Sequence, residues 1–153
     1  KLFIMDVDGT LTDGKIHIGQ NGEIFKSFSV KDGHGINGIL KKNGVIPVIL
    51  TARASAIVEN RAKELEVTEV HQGCQDKKSK LLEIAERYGI VPNKEGILQE
   101  VAYVGDDIPD LNCMEICKFR GCPKEAVCEF VSSKNGGEGA VREFIEWLIK
   151  TQK

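Results

Sequence analysis

The chain has no excess of either charge: 21 basic residues stand against 23 acidic ones, a formal net charge of -2. That balance builds no bulk field for nucleic acid or an anionic membrane, so neither is expected as a partner, and an anionic ligand needs cations placed locally. No apolar run approaches the length of a membrane span, and no signal peptide is legible at the start. Linkers, low-complexity stretches and internal repeats are lacking too, which predicts one domain over residues 1–153. The five cysteines, Cys74, Cys113, Cys117, Cys122 and Cys128, include no CxxC pair and have no histidine at zinc-ligand spacing. They read as small buried thiols in a reduced, cytoplasmic setting, with Cys113 and Cys117 sharing one helix face. His17, His34 and His71 are scattered and carry no chemistry. What is present is ordinary for a folded domain: 41% hydrophobic and 29% charged residues, at a length that can bury a core.

Leu2-Phe3-Ile4-Met5 is a short apolar run stopping at Asp6, the pattern of a buried parallel strand. Two alternating runs over residues 15–29 flank Gln20-Asn21-Gly22, a strong hairpin signal. Helical spacing follows from Gly33 to Lys42, then a strand over Val45–Leu50, a helix over Ala54–Leu65 and a short strand over Val67–His71. Asp76 caps a helix running to Tyr88, and Val101–Gly105 is a third clear strand. Val141, Phe144, Ile145, Leu148 and Ile149 form the apolar stripe of a core-covering helix near the C-terminus, after a Gly136-Gly137 and Gly139 segment that reads as flexible. Alternating strands and helices require right-handed crossovers and a parallel sheet covered on both faces, a doubly wound α/β three-layer sandwich.

Ligands bind such sheets at the carboxyl ends of the strands. There the sequence puts Asp6, Thr51, a polar segment leading to Lys77, and Asp106-Asp107. Asp6 and Asp8, buried together without a counter-ion, would repel, and a magnesium ion held also by Asp106 or Asp107 removes that difficulty. Asp6 can attack phosphorus to form an acyl-phosphate, while Asp8 carries protons for the leaving group and for water. Thr51 can donate to a phosphoryl oxygen, and Lys77 brings positive charge to the phosphate and Asp6.

These residues resemble the haloacid dehalogenase (HAD) superfamily of phosphatases. Asp6-Val7-Asp8-Gly9-Thr10-Leu11-Thr12 is similar to its first motif, Thr51 to its second, Lys77 to its third, and Gly105-Asp106-Asp107-Ile108-Pro109-Asp110 to its fourth. The resemblance implies Asp6 as nucleophile, Asp8 as acid/base, and magnesium held by Asp6, the Asp8 backbone carbonyl and Asp106. Asp107 and Asp110 would support them. About 44 residues separate Asp6 from Thr51, holding a hairpin and one helix, so no separate cap domain fits. This resembles the cap-less branch of octulosonate 8-phosphate phosphatases, nonulosonate 9-phosphate phosphatases and the non-catalytic tail domains of some CMP-sialate synthetases. Further matching stretches are Val30–Ile36, Thr51-Ala52-Arg53, Gln72-Gly73 with Asp76-Lys77, and Gly136–Glu143. The resemblance implies a homotetramer in which hairpins pack against neighbours and adjacent subunits close the site. It also implies substrate contacts from Lys31, Asp32, Arg53 and Arg61, of which the three cations suit a sugar acid bearing both carboxylate and phosphate. Arg53 favours the eight-carbon substrate, 3-deoxy-D-manno-octulosonate (KDO) 8-phosphate. Ala52 replaces a glycine usual in the branch, and Pro92–Gln99 reads as a slightly lengthened surface connection.

Two other classes compete. A phosphorylated receiver domain also uses acids, Thr and Lys at strand ends, but its phospho-accepting Asp lies on a later, central strand. A non-catalytic assembly module would need none of Asp6, Asp8, Thr51, Lys77 and Asp106.

Overall fold

The computed structural model describes residues 1–152. Leu2–Met5 (β1) is buried at all four positions and sits mid-sheet between Ile46–Leu50 (β4) and Leu98–Val104 (β6), parallel to both. Being buried on both faces is why these segments read as unbroken apolar runs rather than alternating ones. His17–Gly19 (β2) and Gly22–Phe25 (β3) form the separate antiparallel hairpin, turning at Gln20-Asn21. Glu69–His71 (β5) flanks β4, while Cys117–Cys122 (β7) and Phe130–Val131 (β8) extend the sheet beyond β6. The order is β5-β4-β1-β6-β7-β8, all parallel. The chain winds outward from β1 to β5, then crosses to β6, so the topological switch lies between β1 and β6.

Val30–His34 (α1) continues as a π-helical segment, Gly35–Leu40. With Ala56–Glu64 (α2) and Ala140–Thr151 (α5), it covers one sheet face through Ile36, Leu40, Val58, Ala62, Val141, Phe144, Ile145 and Leu148. Lys77–Arg87 (α3) and Ile108–Met114 (α4) cover the other through Leu81, Ile84, Ala85, Cys113 and Met114. Alternate residues of β1 serve the two layers: Phe3 and Met5 one, Leu2 and Ile4 the other. This is the doubly wound three-layer α/β sandwich, and between β1 and β4 the chain holds only the hairpin and the α1 segment.

The structure corrects several readings. Cys113 and Cys117 do not share a helix face: α4 ends at Met114 and Cys117 opens β7, though both thiols are buried. Strand β6 begins at Leu98, so the end of the Pro92–Gln99 connection belongs to the sheet. The Gly136-Gly137 segment is tightly packed rather than free. A Cβ on Gly136 would stand 1.9 Å from the Gly9 carbonyl oxygen, and the Gly137 N–H donates to the Thr10 carbonyl at 3.2 Å. Glycine here permits close backbone approach, not motion.

Candidate active site

The Asp6 N–H donates to the Val104 carbonyl at 3.0 Å, one step past β1, which fixes where its side chain starts. The chain then turns sharply, with the N–H groups of Thr10, Leu11 and Thr12 all donating to the Val7 carbonyl. Gly9 takes φ +86°, and a Cβ there would come within 2.1 Å of Asp106 Oδ2. The absent side chain is what lets the Asp106 carboxylate lie against the turn, where the Thr10 hydroxyl donates to Oδ1 at 3.1 Å. Gly9→Ala is expected to displace Asp106 and weaken magnesium binding by roughly 10-fold or more. Titrating the ion against thermal unfolding checks this, and an unchanged affinity would contradict it.

Lys77, at the start of α3, is buried and donates to Asp6 Oδ1 and to Asp110 Oδ1, both at 2.8 Å. Asp110 also accepts from the Tyr103 hydroxyl at 2.7 Å and, on Oδ2, from the N–H groups of Asp106 and Asp107. Asp107 is exposed and caps α4, exchanging hydrogen bonds with Asp110. Thr51 is buried at the end of β4, its N–H held by the His71 carbonyl at 2.9 Å.

Carboxylate oxygens of Asp6, Asp106 and Asp110 lie within 4.8 Å of one another. Burial, the neighbouring Asp110 charge and the opposing pull of Lys77 leave the Asp6 carboxyl raised to about 7. Burial likewise raises Asp106. Burial would lower the Lys77 ammonium, but the Asp6 and Asp110 charges outweigh it and hold it high. One ammonium thus faces two buried carboxyl groups with the half-buried Asp106 beside them, and the hard oxygen donors suit a divalent cation such as magnesium. Asp110 is poorly placed as a ligand, because four hydrogen bonds already occupy its oxygens. The carboxylates of the cluster that fit an ion are Asp6 and Asp106.

The Asp8 side chain belongs to a different network. Lys26, just past β3, donates to Asp8 Oδ1 at 2.5 Å and pairs with Glu23 at 2.7 Å. Arg53 is half-exposed, its Nε 3.8 Å from Asp8 Oδ2. Sequence reasoning did not find Lys26, Glu23, Thr10 or Tyr103. The Asp6, Asp8, Thr51, Lys77, Asp106 and Arg53 group converges at the carboxyl edge of the sheet. Lys31, Asp32 and Arg61 lie elsewhere in the fold.

Lys31 is exposed on α1. Arg61 crosses Phe28, 5.5 Å from its ring centre, and pairs with Glu64. Asp32 is buried and accepts from the Arg142 N–H at 2.8 Å, at the start of α5. With Arg61 it lines a hollow formed by Val7, Leu11 and Phe28 that none of Asp6, Asp8 and Asp106 borders. Burial raises the Asp32 carboxyl to about 6, against an ordinary 3.8. The folded state therefore binds the extra proton, so this stabilising contribution is complete below pH ~4 and lost as pH rises through ~6. Asp32→Asn keeps the acceptor without the charge. It is expected to be more stable than wild type at pH 7.5 by about 2 kcal/mol, with the gap closing at pH 4.5. Urea midpoints at the two pH values measure it, and a gap independent of pH would contradict it.

No protein-family model matches the chain. The 3-deoxy-D-manno-octulosonate 8-phosphate phosphatase KdsC of Escherichia coli K12 is 36% identical over 158 residues, covering 99% of this chain and 80% of the relative. Its Yersinia pestis counterpart is 32% identical, covering 99% and 81%. The structure is similar to the Moraxella catarrhalis 3-deoxy-D-manno-octulosonate 8-phosphate phosphatase in complex with a magnesium ion, a phosphate ion and a KDO molecule. The TM-score is 0.88 at 38% identity, over 98% of this chain and 86% of that one. It is also similar to the cobalt-bound Haemophilus influenzae deoxy-D-mannose-octulosonate 8-phosphate phosphatase, with a TM-score of 0.89 at 32% identity over 99% and 88%. With 36% identity over 99% of this chain and TM-scores near 0.9 to solved relatives, the chain belongs to the 3-deoxy-D-manno-octulosonate 8-phosphate phosphatase family of HAD-superfamily phosphoric monoester hydrolases.

Proposed function

We propose that this chain is a magnesium-dependent phosphatase that hydrolyses KDO 8-phosphate to KDO and phosphate through an aspartyl-phosphate on Asp6. The observation that carries the reading is the buried Asp6, gripped by Lys77 and facing Asp106 at the switch point of the sheet. Asp6, Asp106 and the Asp8 carbonyl would hold magnesium, which would supply the charge neutralisation that lets a carboxylate approach a phosphate. The Asp6 oxygen not bonded to Lys77 attacks phosphorus, forming a new P–O bond as the P–O bond to the sugar breaks and its alkoxide leaves. Asp8 gives that alkoxide a proton and then takes one from the water that hydrolyses the acyl-phosphate. Lys77 and the Thr51 hydroxyl steady the phosphoryl oxygens. Asp107 and Asp110 hold the loop that presents Asp106.

Arg53 beside Asp8, and the relative from Moraxella with KDO, support the eight-carbon sugar acid. Lys31 and Arg61 are assigned to substrate binding, in part across subunits of a homotetramer, whereas Asp32, expected beside them, is buried and holds the start of α5. The hairpin's exposed Ile18, Ile24 and Phe25 support that assembly. The chain works as one domain, in the cytoplasm, where its five free cysteines stay reduced. The described helices include none long and apolar enough to cross a membrane. Measuring kcat/KM for KDO 8-phosphate and for nonulosonate 9-phosphates tests the substrate. The eight-carbon ester is expected to win, and preference for a nine-carbon ester would overturn the choice.

A further inference from the structure

We propose that Lys26 is a positioning residue for the reaction, holding the Asp8 carboxylate in the orientation from which it moves protons. The inference rests on the reading of Asp8 as acid/base given above. The Lys26 side chain is almost wholly buried, at 1% exposure, yet its ammonium ends between two carboxylates rather than in the apolar core. A lysine that served only to anchor the hairpin would be satisfied by Glu23, three residues earlier on β3. Lys26 instead reaches across to a segment 18 residues away and takes Asp8 Oδ1 as well.

Glu23 is itself fixed from a third direction. Its Oε2 accepts from the Ser55 hydroxyl at 2.6 Å, and Ser55 is the residue that caps α2. Ser55 in turn donates its N–H to Gln72 at 2.8 Å. The Lys26 ammonium is therefore pinned through Glu23 to the loops that follow β4 and β5. Asp8 lies in a turn after its strand, where a lone carboxylate would swing about its own side-chain bonds. Occupying Oδ1 leaves Oδ2 as the working oxygen, on the side where Arg53 approaches. Through Lys26, a hairpin built of short, half-exposed strands becomes part of the proton-transfer geometry.

The test uses wild type, Lys26→Met and Lys26→Arg with two esters, KDO 8-phosphate and p-nitrophenyl phosphate. The sugar alkoxide needs a proton to depart, whereas p-nitrophenolate leaves without one. Lys26→Met is expected to lose about 100-fold in kcat on the sugar ester with KM within about threefold, the size of a misplaced acid/base. On p-nitrophenyl phosphate its first step is spared and hydrolysis of the acyl-phosphate is slowed, so p-nitrophenolate should appear in a burst. Lys26→Arg, which can still span both carboxylates, should recover much of the loss. Glu23→Gln, which loosens the ammonium without removing it, covers the case of a misfolded Lys26→Met and should shift both esters the same way by less. An equal loss on both esters without a burst, or a rise in KM alone, overturns the inference while leaving the phosphatase reading intact. A wild type inactive on both esters overturns both readings.

Discussion

Asp6→Asn is expected to lose at least about 10,000-fold in kcat with magnesium present, while its unfolding midpoint stays within a few degrees of wild type. The first half follows from chemistry: an amide oxygen does not form the acyl-phosphate, and no other carboxyl of the cluster is free to replace it. Asp110 is saturated by Lys77, Tyr103 and two backbone N–H groups, and Asp106 is held by Thr10. The second half follows from electrostatics. Burial and the nearby Asp110 already raise the Asp6 carboxyl to about 7, so the fold disfavours its charged form. A neutral isostere that still accepts from Lys77 relieves that repulsion. Initial-rate assays beside thermal melts separate the two effects. Substantial turnover in this variant would remove Asp6 from its role.

Lys77→Met goes the other way and is expected to damage the fold as well as the rate. Its ammonium is the buried partner of both Asp6 and Asp110. Removing it leaves buried carboxylates facing one another, a loss of about 3–5 kcal/mol when one partner of a buried pair is deleted. Methionine fills much of the volume, so the effect is charge rather than cavity. Part of the stability should return as pH falls, because Asp6, freed of the lowering pull of Lys77, takes up a proton and the repulsion is relieved. Urea denaturation of wild type and variant at pH 5.5 and 8 measures this. A variant as stable as wild type at pH 8 would mean that Lys77 is not the counter-charge of the cluster.

The cluster was legible in the sequence because each member sits where an apolar run stops. Asp6 ends β1, Thr51 ends β4, and Asp106 follows β6, so local pattern and the rules of parallel sheets place them together. Between Asp106 and Asp107 the run-ending rule left a choice. In the fold Asp106 lies with Asp6 and Asp110, while Asp107 is exposed and caps α4. The Lys26–Asp8 pair was not legible, because a lysine after a hairpin strand looks solvated until the hairpin folds over the first turn. Nor was the Gly136 contact, since a pair of glycines reads alike whether the backbone is loose or pressed against another backbone. Strands β7 and β8 escaped for a local reason. Cys117–Cys122 mixes lysine and arginine into a sheet position, and Phe130–Val131 is two residues long. Asp32 and Arg61 show the reverse: charged residues in motif-like stretches whose places in the fold are set by tertiary packing with α5 and Phe28.

The central claim is a covalent bond between phosphorus and Asp6. Quenching the enzyme during turnover of KDO 8-phosphate with magnesium, reducing any acyl-phosphate with labelled borohydride and mapping the peptides locates it directly. The label is expected as homoserine at position 6 and at no other carboxylate. Label at Asp8 or Asp106, or none at any residue of an enzyme that is turning over, would contradict it.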